Sequence, residues 1–231
     1  MMRVAVVTGG SRGLGLALTR ALVARGWQVI IDARSPAELE SAAVGLTGEG
    51  RVIPVAGDVA DPAHRQMLVA EVVALGGLDL LVNNASFLGP SPQPALRVYP
   101  LEVLRRVLEV NTVAPLALIQ QLLAHLRPVG GVIINISSDA AVEAYPGWGG
   151  YGSSKAALEQ LSGVLAAEHP DLRVYWVDPG DMNTTMHQEA YPGEDISDRP
   201  LPDESVPGLL ELAAGHRPSG RYRARAIEPG S

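Results

Sequence analysis

The stretch Thr8–Gly15, which reads TGGSRGLG, decides the fold of this chain of 231 residues. It lies between a strand-like apolar run, Arg3–Thr8, and a helical pattern, Leu14–Arg25. Glycine permits the tight turn and the close backbone approach of such a junction, and the following helix directs unpaired N–H groups and its positive dipole end at the turn. The stretch therefore predicts a phosphate-binding turn at the beginning of an α/β domain.

Strand-like and helical segments alternate from this turn onward, and several strands are continuous apolar runs typical of strands covered on both faces. The predicted strands are Arg3–Thr8, Gln28–Asp32, Arg51–Ala56, Leu78–Asn83, Gly131–Ser137, Arg173–Asp178 and Tyr222–Ala226. The predicted helices are Leu14–Arg25, Ala37–Gly45, Ala63–Leu75, Pro100–Leu126, Gly152–Glu168 and Val206–Ala214. This alternation predicts a Rossmann-like, doubly wound, parallel seven-stranded sheet with helices on both faces. We expect a single domain over residues 1–231, because no linker or repeat divides the chain.

Composition limits the partners that we expect. Hydrophobic residues make up 47% and charged residues 19% of the chain, as in a compact globule. The formal net charge of −7 argues against a nucleic-acid surface, which needs a basic field. The chain has no cysteine, and its five histidines show no ligand spacing, so we expect no metal site.

We expect a cytoplasmic protein without a membrane partner. The N-terminal residues lack the apolar run of a signal peptide, and no segment approaches the roughly 18 consecutive apolar residues of a membrane span. The acidic segment His187–Ser205 reads as a loop after the sixth strand, and its position is equally consistent with solvated surface and with a substrate lid.

Tyr151 and Lys155 are four residues apart at the beginning of a predicted helix, so both side chains lie on one helix face. An ammonium beside a tyrosine favours the phenolate and lowers a pKa that is otherwise about 10. Ser137 and Ser138 follow the fifth strand, and a hydroxyl there could polarise a substrate carbonyl. The pattern predicts acid–base chemistry on a substrate oxygen.

Six motifs in register resemble the short-chain dehydrogenase/reductase family over nearly the whole chain. They are the TGxxxGxG spacing of the turn, Asp58-Val59, the NNAS run Asn83–Ser86, Ser138, Tyr151 with Lys155, and Asp178-Pro179-Gly180, with Asn111 in order between them. The one departure is Ser86, where the family usually has glycine. The resemblance implies a catalytic tetrad of Asn111, Ser138, Tyr151 and Lys155, in which Asn111 perturbs its helix and holds a water for a proton relay.

The same resemblance implies the cofactor contacts. They are Gly9, Ser11, Arg12, Gly13, Leu14, Gly15, Arg34, Asp58, Val59, Asn84, Ala85, Tyr151, Lys155, Pro179, Gly180, Met182 and Thr184. It also places the acid that selects NAD at a position filled here by Ala33. Arg34 and Arg12 therefore favour NADP(H) over NAD(H). Asp32 is the competing residue, since an error of one position would make it the NAD-selecting acid.

These features predict an NADP(H)-dependent oxidoreductase that interconverts a carbonyl and a secondary alcohol of a small molecule. The alternatives are an NAD-dependent alcohol dehydrogenase, a redox-inactive nucleotide sensor or scaffold, and an epimerase or dehydratase of the same family. The expected substrate pocket consists of Phe87, Leu88, Ala140, Tyr145, Trp148, Met182, Met186, His187 and Tyr191, which suits an apolar or aromatic compound. The family implies a homodimer or homotetramer formed through helices Pro100–Leu126 and Gly152–Glu168.

Overall fold

The computed structural model describes residues 2–46, 48–126 and 130–228. Its sheet has seven parallel strands in the order β3-β2-β1-β4-β5-β6-β7, which confirms the predicted Rossmann-like sheet. The strands are β1 (Val4–Val7), β2 (Gln28–Ala33), β3 (Arg51–Ala56), β4 (Leu80–Asn83), β5 (Val132–Ile136), β6 (Arg173–Asp178) and β7 (Gly220–Arg223). The helices are α1 (Gly13–Val23), α2 (Pro36–Val44), α3 (Pro62–Ala74), α4 (Leu101–Leu108), α5 (Ala114–Leu122), α6 (Gly149–Glu168), α7 (Thr185–Ala190) and α8 (Val206–Ala213).

Helices cover both faces of the sheet. On one face, α1 and α2 pack by β2 and α8 packs by β5, and they bury apolar side chains that include Leu18, Leu39 and Leu209. On the other face, α3, α5 and α6 bury Leu68, Leu118 and their neighbours. Because successive strand residues point to opposite faces, nearly every position of β1, β2, β4 and β5 is apolar, and burial of this area drives the folding of the domain.

The predicted helix Pro100–Leu126 is interrupted. A π-helical turn, Glu109–Val113, separates α4 from α5, and a 3₁₀ turn ends the segment at His125. The side chain of Asn111, in the π turn, bonds to the backbone of Phe87 and to Ser154, which lie on other elements. These tertiary bonds favour the wider turn at Asn111. Single π turns inside helices are frequent at functional sites.

The helical segment Leu101–His125 is long and apolar enough to cross a membrane, judged by length and composition only. It does not stand out in the sequence when only consecutive apolar residues are counted. Half of its most apolar part is buried inside the fold. Leu118, Ile119 and Leu122 pack on the sheet with strands β1, β4 and β5. Its apolar face is therefore used in the core of the domain, as in many core helices.

The bounds of the last strand were predicted wrongly, whereas a short helix in the acidic segment was foreseen. The last strand is Gly220–Arg223 instead of Tyr222–Ala226, because the chain turns at Ala224–Ala226, where the carbonyl of Ala224 packs against Gly208 of α8. The otherwise loop-like segment His187–Ser205 leaves room for a short helix around Met186–Ala190, and α7 (Thr185–Ala190) lies there; beyond it Ile196 is buried and a 3₁₀ turn spans Pro202–Ser205.

Candidate active site

A cavity of about 1010 Å³ opens at the carboxyl ends of the strands, where β1 lies between β2 and β4. This is the position at which doubly wound sheets bind ligands. Most of the predicted cofactor residues line it: Gly9, Ser11, Arg12, Gly13, Leu14, Arg34, Asp58, Val59, Asn84, Ala85, Tyr151, Lys155, Pro179, Met182 and Thr184. Gly15 and Gly180 of the predicted cofactor contacts, and Asn111 and Ser138 of the predicted tetrad, are not among the residues that line the cavity.

Two glycines of the turn have positive φ, 68° at Gly9 and 55° at Gly13, which disfavours other residues there. Gly15 is required for a different reason, since a Cβ at this position would lie 2.3 Å from the carbonyl oxygen of Gly9. Asn84 holds the turn from the β4 side, donating to the carbonyl oxygens of Thr8 at 2.8 Å and Gly9 at 3.2 Å. The turn is therefore fixed before any ligand binds, with the N-terminus of α1 directed into the cavity.

Asp32, the competing selector for NAD, is only 2% exposed. One carboxylate oxygen accepts the N–H of Gly9 at 2.7 Å, and the other lies 3.1 Å from Nε2 of His64. Both oxygens thus have partners within the protein. Arg12 and Arg34 line the cavity in the same region.

Asp58, which follows β3, accepts the N–H of Ala60 at 2.9 Å and pairs with Arg106 of α4. Partial burial raises the pKa of this carboxyl, but the bonds from Ala60 and Arg106 outweigh burial and hold it below its usual range. The carboxylate is therefore ionised at neutral pH and available as a hydrogen-bond acceptor at the rim of the cavity.

Tyr151 and Lys155 lie on the first turns of α6 and are both buried. Lys155 Nζ donates to the carbonyl oxygen of Ile136 at 2.8 Å and lies 5.5 Å from the centre of the Tyr151 ring. Burial lowers the pKa of Lys155 to about 7. Burial raises the pKa of Tyr151 to about 12, although a hydrogen bond with Ser86 opposes the rise. Burial thus dominates the pKa of both groups in the chain alone, and the expectation that Lys155 together with an oxidised nicotinamide favours the Tyr151 phenolate stays a prediction.

Asn111 is fully buried, and both ends of its amide have partners. Nδ2 donates to the Phe87 carbonyl at 3.0 Å and to Ser154 Oγ at 2.9 Å, while Oδ1 accepts the N–H of Phe87 at 2.8 Å and the hydroxyl of Ser86 at 3.2 Å. The side chain therefore joins the segment after β4 to α6, and the predicted water-holding role of Asn111 stays a prediction. Ser86, identified in the sequence only as a departure from the family, lies beside both Asn111 and Tyr151.

The two serines after β5 have different partners. Ser137 donates to a carboxylate oxygen of Glu159 at 2.6 Å, whereas Ser138 Oγ lies 2.9 Å from Asp139 Oδ1 and accepts the N–H of Ala140 at 3.1 Å. Ser137 lines the cavity and Ser138 does not, so the structure places the competing serine nearer the dinucleotide part of the site. Both hydroxyls thus donate to a carboxylate of the protein, Ser137 to Glu159 and Ser138 to Asp139, and the assignment of Ser138 continues to rest on its spacing from Tyr151.

Sequence reasoning missed the residues that brace this serine turn. Arg221 of β7 donates to both oxygens of Glu159, at 2.9 and 3.2 Å, and to the carbonyl oxygen of Ser138 at 3.1 Å. Glu159 follows Lys155 by four residues, so helical spacing could have indicated it. Arg221 lies 62 residues from Glu159 along the chain, and no local pattern points to it.

Phe87, Met182 and Met186 of the expected substrate pocket line the cavity, and most of its other residues pack together near Tyr151. Leu88, Ala140 and Tyr151 form a buried cluster against which Trp148 and Met186 pack. Ring centroids are 5.8 Å apart for Trp148 and Tyr151, 5.9 Å for Trp148 and Tyr191, and 4.9 Å for His187 and Tyr191. Phe87 and Met182 are associated with other clusters. Tyr145 is the exception, since it is 40% exposed and its hydroxyl bonds to Glu143 and Asp139.

The lowered pKa of Lys155 predicts a specific dependence of stability on pH. Between about pH 7 and 10.5 the unfolded chain binds a proton on this amine that the folded chain lacks, so each pH unit raises the free energy of unfolding by up to about 1.4 kcal/mol. We expect wild type to gain stability relative to Lys155→Met as the pH rises through this window, measured by urea unfolding. Parallel curves for the two proteins would show that Lys155 keeps an ordinary pKa.

Fold and site together define a nucleotide-dependent oxidoreductase of the Rossmann class, with a tyrosine and a lysine beside the dinucleotide cavity. The chain belongs to the short chain dehydrogenase family, whose sequence model matches residues 3–195. This confirms the resemblance drawn from the motifs.

Three relatives illustrate the similarity. The chain is 39% identical over 176 residues to the short chain dehydrogenase asqE of Emericella nidulans, a match that covers 72% of this chain and 64% of that protein. It is 34% identical over 207 residues to 2-(R)-hydroxypropyl-CoM dehydrogenase of Xanthobacter autotrophicus, covering 87% of this chain and 83% of the relative. Among solved structures, an alcohol dehydrogenase of Thermococcus sibiricus complexed with 5-hydroxy-NADP has a TM-score of 0.85 at 29% identity, with full coverage of both chains.

Proposed function

We propose that this chain is an NADP(H)-dependent oxidoreductase that interconverts a carbonyl and a secondary alcohol, with Tyr151 as the acid–base group. The observation that carries the proposal is the placement of Tyr151 and Lys155, both buried, on the wall of a cavity whose floor is the glycine turn. A sensor or scaffold would not need a buried phenol and a buried amine together at this point.

The residues fit a dinucleotide. The glycine turn and Thr184 would hold its phosphates, Asp58 and Val59 its adenine, and Pro179 and Met182 its nicotinamide, which supplies or accepts the hydride when bound. The pKa of Tyr151, raised to about 12, keeps the phenol protonated at neutral pH and ready to donate to a substrate oxygen during reduction. Lys155, whose pKa burial lowers to about 7 and whose Nζ lies 5.5 Å from the centre of the Tyr151 ring, would then return the proton to Tyr151.

The choice of NADP(H) rests on charge at the end of β2. Asp32 is bound to Gly9 and His64, while Arg34 and Arg12 line the cavity. An arginine near the end of this strand accommodates a 2′-phosphate in such sites. The Thermococcus relative complexed with 5-hydroxy-NADP supports this choice.

A panel of carbonyl compounds tests the proposal, with NADPH and NADH each supplied and oxidation followed by nicotinamide absorbance. The contacting rings of Trp148, Tyr191 and His187, near Tyr151, suggest that aryl ketones and other apolar carbonyl compounds be tried first. We expect turnover with NADPH and much weaker turnover with NADH. A protein that binds NADPH but turns over none of the compounds would favour a nucleotide sensor.

We also propose that the chain forms at least a dimer through the α4–α5 segment and α6. Large apolar side chains are exposed there, including Leu101 (62%), Val113 (47%) and Val164 (44%). Small residues of α6, such as Ala156 and Gly163, would allow a second helix to approach closely. We expect light scattering at micromolar concentration to give at least twice the monomer mass, and Val164→Glu to lower it. A monomeric wild type would refute the assembly.

A further inference from the structure

Asp32 and His64 form a buried pair beneath the dinucleotide cavity that takes no part in the proton chemistry proposed above. Their side chains are 2% and 3% exposed, and Nε2 of His64 lies 3.1 Å from Oδ2 of Asp32. Asp32 lies on β2, and His64 lies on the first turn of α3. A buried polar pair of this kind is weak evidence for stability, so its position in the site needs another explanation.

Asp32 holds the glycine turn by two bonds. Its Oδ1 accepts the N–H of Gly9 at 2.7 Å, and its main-chain carbonyl accepts the N–H of Gly10 at 2.9 Å. The orientation of the carboxylate is therefore tied to the turn that faces the phosphates of a bound dinucleotide. With one oxygen on Gly9 and the other on His64, both oxygens are directed at protein groups.

His64 is held in place by its surroundings. Its ring packs on Gly57, where a Cβ would lie 2.2 Å from Nδ1. Gly57 in turn donates its N–H to the carbonyl oxygen of Ala33 at 2.9 Å. The next residue, Arg65, donates to the carbonyl oxygen of Val59 at 2.7 Å. The first turn of α3 thus fixes the position of His64 and of the segment Gly57–Val59 together.

The alternation of side chains along β2 determines where the Asp32 carboxylate lies relative to the dinucleotide cavity. Asp32 points to the same face as Ile30, toward α3, whereas Ala33 packs on the α1 face. Asp32 nevertheless borders the cavity, two residues from Arg34. A carboxylate released from His64 could turn into that cavity, where it would accept the 2′-hydroxyl of an NAD ribose and repel a 2′-phosphate.

We propose that His64 is a specificity-determining residue for the dinucleotide: by binding Asp32 it keeps that carboxylate on Gly9 and away from the ribose, so that Arg34 meets a 2′-phosphate. The inference rests on the proposed function only in that the chain binds a nicotinamide dinucleotide with its adenosine end beside Arg34. It explains how an acid can stand near the end of β2 in a chain proposed to use NADP(H).

Fluorescence titration with NADPH and with NADH tests this inference without a substrate. The quantity compared is the ratio of the Kd for NADH to the Kd for NADPH. His64→Val removes the partner of Asp32, and we expect the ratio to fall about tenfold because a carboxylate then faces the 2′-phosphate. His64→Gln places an N–H donor near the former Nε2, and it should keep the wild-type ratio.

Variants of Asp32 separate charge from packing. In the double variant Asp32→Asn/His64→Val the released group is uncharged, so the ratio should return toward wild type even if the turn is looser and both affinities fall. Asp32→Asn alone should leave the ratio unchanged, and it remains informative should His64→Val fail to fold. A thermal melt of each variant establishes that it is folded.

Two results would overturn the inference: equal weakening of both dinucleotides by His64→Val, or a selective loss of NADH binding in Asp32→Asn, which would mean that Asp32 already binds the ribose. The wild-type ratio is a separate measurement. A wild type that prefers NADH would contradict the proposed cofactor. The role of His64 is tested separately, by the change in the Kd ratio between wild type and the variants, whatever the wild-type ratio is.

Discussion

Tyr151→Phe should lower turnover by about 100-fold or more while leaving the Kd for NADPH nearly unchanged, because the variant keeps the ring and loses only the transferable proton. The ring contributes to the buried cluster with Leu88 and Ala140, so phenylalanine should preserve the packing. Turnover would be measured on the best substrate of the carbonyl panel, and binding by fluorescence titration.

Tyr99→Phe is the matched control. Tyr99 is also buried, packs against Gly150 beside Tyr151, and has a hydroxyl with no hydrogen-bond partner among the described residues. Its loss should leave turnover unchanged. Wild-type turnover in Tyr151→Phe would remove this tyrosine from the chemistry and would turn attention to Ser86, whose hydroxyl lies nearby.

Arg34→Ala should raise the Kd for NADPH roughly tenfold to hundredfold, since a charge-assisted contact to phosphate is worth about 1.5–3 kcal/mol. The Kd for NADH should change much less, because NADH has no 2′-phosphate for the guanidinium to bind. Both values come from the same fluorescence titration. Arg25→Ala, which removes an arginine that does not line the cavity, is the control for the change in net charge. An equal loss for both dinucleotides would mean that Arg34 does not face the 2′ position.

The sequence predicted those parts of the site whose geometry depends on residues close together in the chain. The glycine turn follows from a strand, a turn and a helix in direct succession, and the structure brings Gly9, Gly13 and Lys155 to one cavity. Tyr151 and Lys155 share a helix face because of their spacing alone. The parallel sheet likewise follows from the regular alternation of apolar strands and helices.

Contacts between distant segments could not be predicted in this way. The π turn depends on bonds from Asn111 to Phe87 and Ser154, 24 and 43 residues away. The commitment of Asp32 depends on His64, 32 residues further along. The burial that moves the pKa values of Tyr151 and Lys155 in opposite directions depends on the whole fold. Each is a property of packing, which no window of sequence contains.

The bonds that Arg221 makes to Glu159 and to the carbonyl of Ser138 set an order of events during synthesis. A ribosome releases the chain from its N-terminus, and the glycine turn, the π turn and the tyrosine helix all emerge before β7. The serine turn therefore lacks one of its supports until residue 221 has left the exit tunnel. A nascent chain arrested short of that point should already contain most of the residues that line the cavity, while the backbone at Ser138 gains its bond from Arg221 only when the last strand joins the sheet.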